Sequence, residues 1–367
     1  MSSSHSPSVS PLDVVIFGLS ITSAWGNGHA TIYRALAQAL HRRGHRVHFF
    51  ERDVPGYASH RDLPQPAYCD VHLYPDIDTL EERTPDIVRA DLVIVGSYVP
   101  EGRRLIEWML PRVSGATAFY DIDTPVTVGK LASRTCEYLD PTLIPRFDLY
   151  LSFAGGMVLE VLRDEFGASR PTPFYCSVEP DEYFPVPGAA KRYDLGYLGT
   201  YSADREPALD RLLLLEPARR WPKGAFCIAG AEYPKELQWP ANVSRAELLT
   251  PAAHRNFYNR QRFALNITRS DMLTNGYYPS QRLFKAAACG VPVISDYWYG
   301  LDEFFTPGLE ILIARSSREV LELLQDLDGG ELLEIGVRAR QRVLDLHTAK
   351  HRVQELETHV GKLLQTS

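Results

Sequence analysis

His29 ends a glycine-containing stretch, Gly26-Asn27-Gly28-His29, that follows the apolar run Asp13-Val14-Val15-Ile16-Phe17-Gly18. Glycines at such a place let backbone come close to a ligand. An imidazole there, given a carboxylate to fix its tautomer, can take a proton from a hydroxyl. Asp121 and Asp123 close a later apolar run, Ala116-Thr117-Ala118-Phe119-Tyr120, and Pro125 turns the chain just after them. Either carboxylate suits that orienting role. Helix capping accounts for one of the two aspartates without chemistry, and His29 can cap a helix or hold substrate without moving a proton.

A second set is cationic and hydroxylic. Gly199-Thr200-Tyr201-Ser202-Ala203-Asp204-Arg205 follows the run Asp194-Leu195-Gly196-Tyr197-Leu198, and Arg269 follows Phe263-Ala264-Leu265-Asn266-Ile267. Small residues, N–H groups and a guanidinium in one loop can embrace a diphosphate. Pro279 and Ser280 suit a helix start, with Arg282 in its first turn and Lys285 three residues on. Free N–H groups and the helix dipole favour an anion at such a start. An ordinary helix with a solvated arginine is the plain alternative, as is a surface pair between Arg205 and Asp204 or Glu206.

Elements that position these residues alternate between strand and helix. Leucine, isoleucine and alanine recur at helical spacing from Ala30 to Arg43, and Val47-His48-Phe49-Phe50 starts a second strand. Leu92-Val93-Ile94-Val95-Gly96, residues 116–121 and residues 149–153 continue the pattern. After a proline-rich stretch at 178–192 it restarts with residues 194–199, 225–230, 263–267 and 293–295, and everything from Ser317 onward is helical. This order predicts an α/β protein with two successive Rossmann-like doubly wound parallel sheets, and ligands at the carboxyl ends of the strands. Gly290 should end the helix that begins at Ser280, ahead of a buried strand at Val293-Ile294.

Arg282-Leu283-Phe284, Ala286-Ala287-Ala288-Cys289-Gly290-Val291-Pro292-Val293-Ile294-Ser295-Asp296, then Gly300-Leu301-Asp302-Glu303-Phe304-Phe305 and Pro307-Gly308-Leu309-Glu310-Ile311, resemble the C-terminal half of a glycosyltransferase. The likeness extends to Gly26-Asn27-Gly28-His29-Ala30-Thr31 and so covers most of the chain. It is similar to the group-1-like branch of the GT-B fold that includes the spore maturation protein CgeB family. The resemblance implies two Rossmann-like domains facing each other: an acceptor-side domain at 13–185 and a nucleotide-sugar domain at 186–345. A helix at 346–367 would return to the first domain. It implies metal-independent transfer of a sugar from a nucleoside-diphosphate sugar, which is a co-substrate and not a cofactor. The acceptor would be a glycan, a cell-surface polymer or a small molecule. His29 with Asp121 or Asp123 would be catalytic. Gly199, Thr200, Tyr201, Arg205, Arg269, Ser280, Arg282 and Lys285 would bind the donor, and Gly26, Asn27 and Gly28 would lie near donor and acceptor. Trp25, Tyr297, Trp298 and Tyr299 are candidates to stack on sugar or base. One departure stands out. Related retaining transferases carry two glutamates separated by seven residues, and the corresponding positions here are Tyr277 and Lys285. A lysine donates hydrogen bonds but cannot accept one from a ribose hydroxyl, so Lys285 is either an adaptation or a loss, and the anomeric outcome stays open.

Composition excludes several classes. A net charge of −7 over 367 residues gives no basic surface for nucleic acid. No apolar run approaches the ~20 residues of a membrane span. Residues 1–12 are serine-rich, lack an apolar segment, and read as a disordered tail rather than a signal peptide. Five scattered cysteines form no C-x-x-C pair, which suits a reducing cytoplasm. Two rival functions remain. A catalytically silent sugar-nucleotide or glycan-binding protein would share every binding feature. An NAD-dependent oxidoreductase would use Glu51 on ribose, but seven residues separate Gly18 from Gly26, too many for the usual pyrophosphate turn.

Overall fold

The apolar runs become central strands of two all-parallel sheets in the computed structural model, which describes residues 10–26, 28–247 and 249–365. Asn27 and most of the expected N-terminal tail lie outside the described residues. The first sheet comprises β1 (Asp13–Gly18), β2 (Arg46–Arg52), β3 (Asp70–Tyr74), β4 (Leu92–Gly96), β5 (Ala116–Asp121), β6 (Leu149–Ser152) and β7 (Pro171–Pro173), in the order β3-β2-β1-β4-β5-β6-β7. The second comprises β8 (Tyr193–Leu198), β9 (Phe226–Ala229), β10 (Val243–Ala246), β11 (Gln261–Asn266), β12 (Val293–Ser295) and β13 (Leu312–Ile313), in the order β10-β9-β8-β11-β12-β13. β4 and β5 are buried throughout. Strands covered on both faces can be continuously apolar, and that is how they appear in the sequence. In each sheet the order reverses beside the first strand, β1 next to β4 and β8 next to β11. Such a switch point leaves room for a ligand at the strand ends.

The helix Gln281–Ala288 starts where the sequence suggests. Ser280 is its N-cap, its hydroxyl accepting from the Arg282 N–H at 3.1 Å, and Gly290 takes a φ of 69° just beyond it. Every residue from Leu283 to Ala288 is buried, Lys285 included, so this part of the helix is enclosed on all sides.

The chain divides into two compact units, one running to Tyr175 and resuming at Ala349, the other spanning Cys176–Thr348. The division falls ahead of the proline-rich stretch that suggested a boundary at 185. Residues 176–185 are instead tied into the second unit. The Cys176 thiol donates to the Pro279 carbonyl, the Val178 N–H donates to the His347 carbonyl at 3.0 Å, and Val178 pairs with Thr348. In the first unit the helix Ala349–Leu364 lies against the helix Gly28–Arg42. Glu357 accepts two bonds from Arg43, both at 2.6 Å, and one from His45 Nε2 at 2.8 Å, while His45 Nδ1 accepts from the Leu12 N–H. That second bond fixes which imidazole nitrogen carries the proton.

Candidate functional site

In the first unit, His29 sits in the opening turn of the helix Gly28–Arg42, at the switch-point end of the sheet. Its ring meets Tyr98 edge-on, with centroids 5.3 Å apart, and the Tyr98 hydroxyl donates to Asp123 Oδ2 at 3.2 Å. Burial lowers the imidazole below its ordinary value, while the Asp123 carboxylate pulls the other way. A neutral imidazole facing a carboxylate is poised to accept a proton. Tyr98 was not anticipated from sequence. It holds a φ of 64°, a strained conformation for a bulky residue, and such strain gathers at functional sites. The only sequence signal for it is its place two residues beyond β4.

The two aspartates separate into different roles. Asp121 is fully buried and accepts from Tyr150 Oη at 2.6 Å, Thr127 Oγ1 at 2.7 Å and the Asp123 N–H at 3.2 Å. Burial pushes it up to about 6, against the pull of those bonds. Its acceptor sites serve the scaffold, so Asp123 is the carboxylate directed to the Tyr98 and His29 pair.

The loop before His29 is held by Glu51. Its carboxylate accepts from the N–H groups of Ile21 at 2.7 Å and Thr22 at 3.0 Å, and from Thr22 Oγ1 at 2.6 Å. Both oxygens of this fully buried group are engaged, so the residue that a dinucleotide reading needs for ribose is a loop anchor. Gly26, at φ 59°, makes the left-handed bend beyond it and Gly28 opens the helix.

In the second unit, the structure brings Arg205, Arg269, Arg282 and Ser280 to the switch-point end of the other sheet. Arg282 passes its guanidinium over the Tyr197 ring at 4.8 Å, donating from Nε to the Leu198 carbonyl at 2.6 Å and from Nη1 to Asn266 Oδ1 at 2.8 Å. It straps the ends of β8 and β11 together and leaves Nη2 beside Gly199. A Cβ on Gly199 would lie 3.0 Å from Nη2 and 2.8 Å from the Tyr197 hydroxyl, so a larger residue would displace these two groups. Asp204 accepts from the Ser270 N–H at 3.0 Å and so draws the Arg205 loop to the Arg269 turn. Arg205 donates from Nη2 to the Thr200 carbonyl at 2.8 Å, and its Nε is buried with no hydrogen-bond partner among the described residues. Burial lowers the Arg205 guanidinium, and Arg282 and Arg269 push it the same way against Tyr197 and Asp204. Tyr201 is set by its N–H bond to Ala231 and by edge contact with Tyr233, whose hydroxyl donates to the Gly199 carbonyl. Like charges held together around a buried, unmatched donor are what an anion site needs.

Lys285 is turned elsewhere. Its Nζ lies over the Tyr183 ring at 5.2 Å, and burial lowers it to about 8, with Glu182 acting to raise it. Tyr277, at the other departure, has a φ of 46°, donates its N–H to the Tyr299 carbonyl at 2.7 Å and meets the Tyr299 ring edge-on. Of the aromatic residues near these strand ends, Tyr297 and Tyr299 are exposed and Trp298 is buried. Among the described residues no group of three or more His, Cys, Asp or Glu side chains is arranged to hold a metal ion, and the positive charge at this edge is carried by guanidinium groups.

Residues 205–358 match the family model described as glycosyl transferase-like. In three dimensions the chain is similar to the sucrose-phosphate synthase of Thermosynechococcus elongatus, at 14% identity and a TM-score of 0.69 over 96% of this chain and 99% of that one. It is also similar to an alpha-glucosyltransferase solved with UDP-glucose and DNA containing an abasic site, at 12% identity and a TM-score of 0.74, covering 96% and 100%. The fold is GT-B. HepE of Anabaena, solved with UDP-glucose, matches this GT-B chain at 11% identity and a TM-score of 0.67, covering 97% and 100%. No curated protein matches it in sequence. No described helix of the GT-B chain is long and apolar enough to cross a membrane.

Proposed function

We propose that this protein is a glycosyltransferase that takes a sugar from a UDP-sugar, and that Arg205, Arg269 and Arg282 hold the donor's diphosphate. One observation carries the reading: three arginines converge on the switch point of the second sheet, where Arg205 Nε is buried and unmatched. The match of residues 205–358 to a glycosyl transferase-like family supports it, as does the UDP-glucose bound to two structural neighbours. The stretch Arg282–Asp296 supports placing the chain beside the CgeB-like branch. His29 removes the proton of the acceptor hydroxyl, whose oxygen bonds to the anomeric carbon. The bond from that carbon to the diphosphate breaks, its electron pair leaving with UDP. The guanidinium groups stabilise the growing charge on the leaving group, and Asp123 with Tyr98 steadies the imidazolium. The soluble reaction takes place in the cytoplasm and needs no further cofactor. Calorimetry with UDP, followed by a UDP-release assay on UDP-glucose with and without acceptors, tests this. Micromolar UDP binding with turnover is expected. Binding without any turnover would make the protein a silent sugar-nucleotide binder, and absence of binding would end the reading.

A further inference from the structure

We infer that Trp25 and His60 form a platform for a neutral saccharide, and that the acceptor is therefore an uncharged sugar rather than a nucleic acid. The inference rests on the transferase reading. Trp25 is 48% exposed, yet it is tightly held. Its indole stacks on His60 with centroids 4.2 Å apart and 15° between planes, and His60 Nδ1 lies 2.9 Å from Ser59 Oγ. The loop carrying Trp25 is zipped to the segment carrying His60. Ser23 Oγ donates to the His60 carbonyl at 2.9 Å, the Ala24 N–H to Asp62 Oδ1 at 2.8 Å, and the Leu63 N–H to the Thr22 carbonyl at 3.0 Å. His60 lies against one face of the indole, and about half of the residue's surface stays accessible among the described residues. Fixing a large aromatic ring without burying it costs order and gains little packing, which points to a ligand. A pyranose presents a face of C–H groups that lies flat on an indole.

Charge decides against a polyanion. Around this loop Arg34 is paired with Asp62 at 2.8 Å, Arg61 with Asp53 at 2.6 Å and Arg52 with Glu101 at 3.2 Å. Nucleic-acid binding draws its strength from cations available to phosphates, and each of these already faces a carboxylate.

The test presents the full chain with a panel of neutral oligosaccharides, uronate-bearing oligosaccharides and a duplex DNA oligonucleotide, by calorimetry and tryptophan fluorescence, with UDP as a second probe. A neutral oligosaccharide should bind. Trp25→Ala should weaken it about tenfold or more, the usual scale of one aromatic stacking contact, while Trp25→Tyr stays within about threefold. UDP affinity should be the same in all three proteins. Binding of DNA or uronates in preference to neutral sugars, no saccharide binding at all, or an unchanged affinity in Trp25→Ala would each overturn the inference. Failure of UDP binding beside Trp25-dependent saccharide binding would instead leave the platform standing and remove the transferase reading.

Discussion

Two loops occupy equivalent places, one after β1 and one after β8, each at the switch point of its sheet, and they carry opposite chemistry. The first is anchored by a carboxylate, Glu51, and faces His29, Tyr98 and Asp123. The second is anchored by a guanidinium, Arg282, and faces two further arginines. Topology fixes where a ligand can sit, whereas the sign of the side chains there fixes what it can be. An imidazole kept neutral by burial is suited to accept a proton; arginines crowded around a buried donor are suited to an anion. The division of labour proposed above follows from that contrast and can be broken from either side.

The largest effect is expected at His29. His29→Ala should lower turnover by roughly 10²–10⁴, the range of a lost general base, and leave UDP affinity nearly intact. An equal loss of UDP binding would erase the distinction between the two loops. Next come the arginines. Arg205→Met should weaken UDP by about 1.5–3 kcal/mol, the worth of a charged hydrogen bond, with little change in melting temperature. Arg282→Met should cost similar affinity but also lower the melting temperature, because it frees the Leu198 carbonyl and Asn266. Identical thermal behaviour of the two variants would show that the strap is not structural.

Lys285→Met probes whether the second unit tolerates a buried charge over the Tyr183 ring. The folded lysine sits at about 8 against 10.5 for a free one, so the charged form is penalised in the fold. That penalty is complete below about pH 8 and fades as pH rises towards 10.5, where both states are neutral. The variant should therefore melt higher than the parent at pH 7, with the gain shrinking in alkaline buffer. A gain that does not vary with pH would assign it to packing alone. The smallest effect belongs to Asp123→Asn. Asp123 raises the His29 imidazole, so its loss should move the acidic limb of the kcat/KM profile to lower pH. A limb that stays in place would detach Asp123 from the base.

The central strands were legible because they are buried on both faces, as in Leu92–Gly96 and Ala116–Asp121. The strands that sequence missed, β3, β7, β10 and β13, are the four sheet edges. Asp-Val-His-Leu-Tyr, Pro-Thr-Pro and Val-Ser-Arg-Ala lack a continuous apolar pattern, because an edge strand has only one neighbour and need not be apolar throughout. At the candidate site, residue type and position beyond a strand were enough to single out His29, Asp123 and Arg205 as candidates, and a helix start to single out Arg282. What they could not give was commitment: Asp121 and Glu51 look as available as Asp123 until their hydrogen bonds are counted. Tyr98 was hidden because its distinction is a backbone angle, and Lys285 because burial of a lysine depends on what covers the helix.

The bridge between Val178 and Thr348 places both ends of the second unit side by side. In chain order that unit is an insert: residues 176–348 interrupt the first unit, which resumes with the last helix. A segment whose ends already meet can be cut out, circularised or exchanged without stretching the chain on either side. Residues 176–348 could therefore be replaced wholesale, while the first unit stays clasped through Arg43, His45 and Glu357.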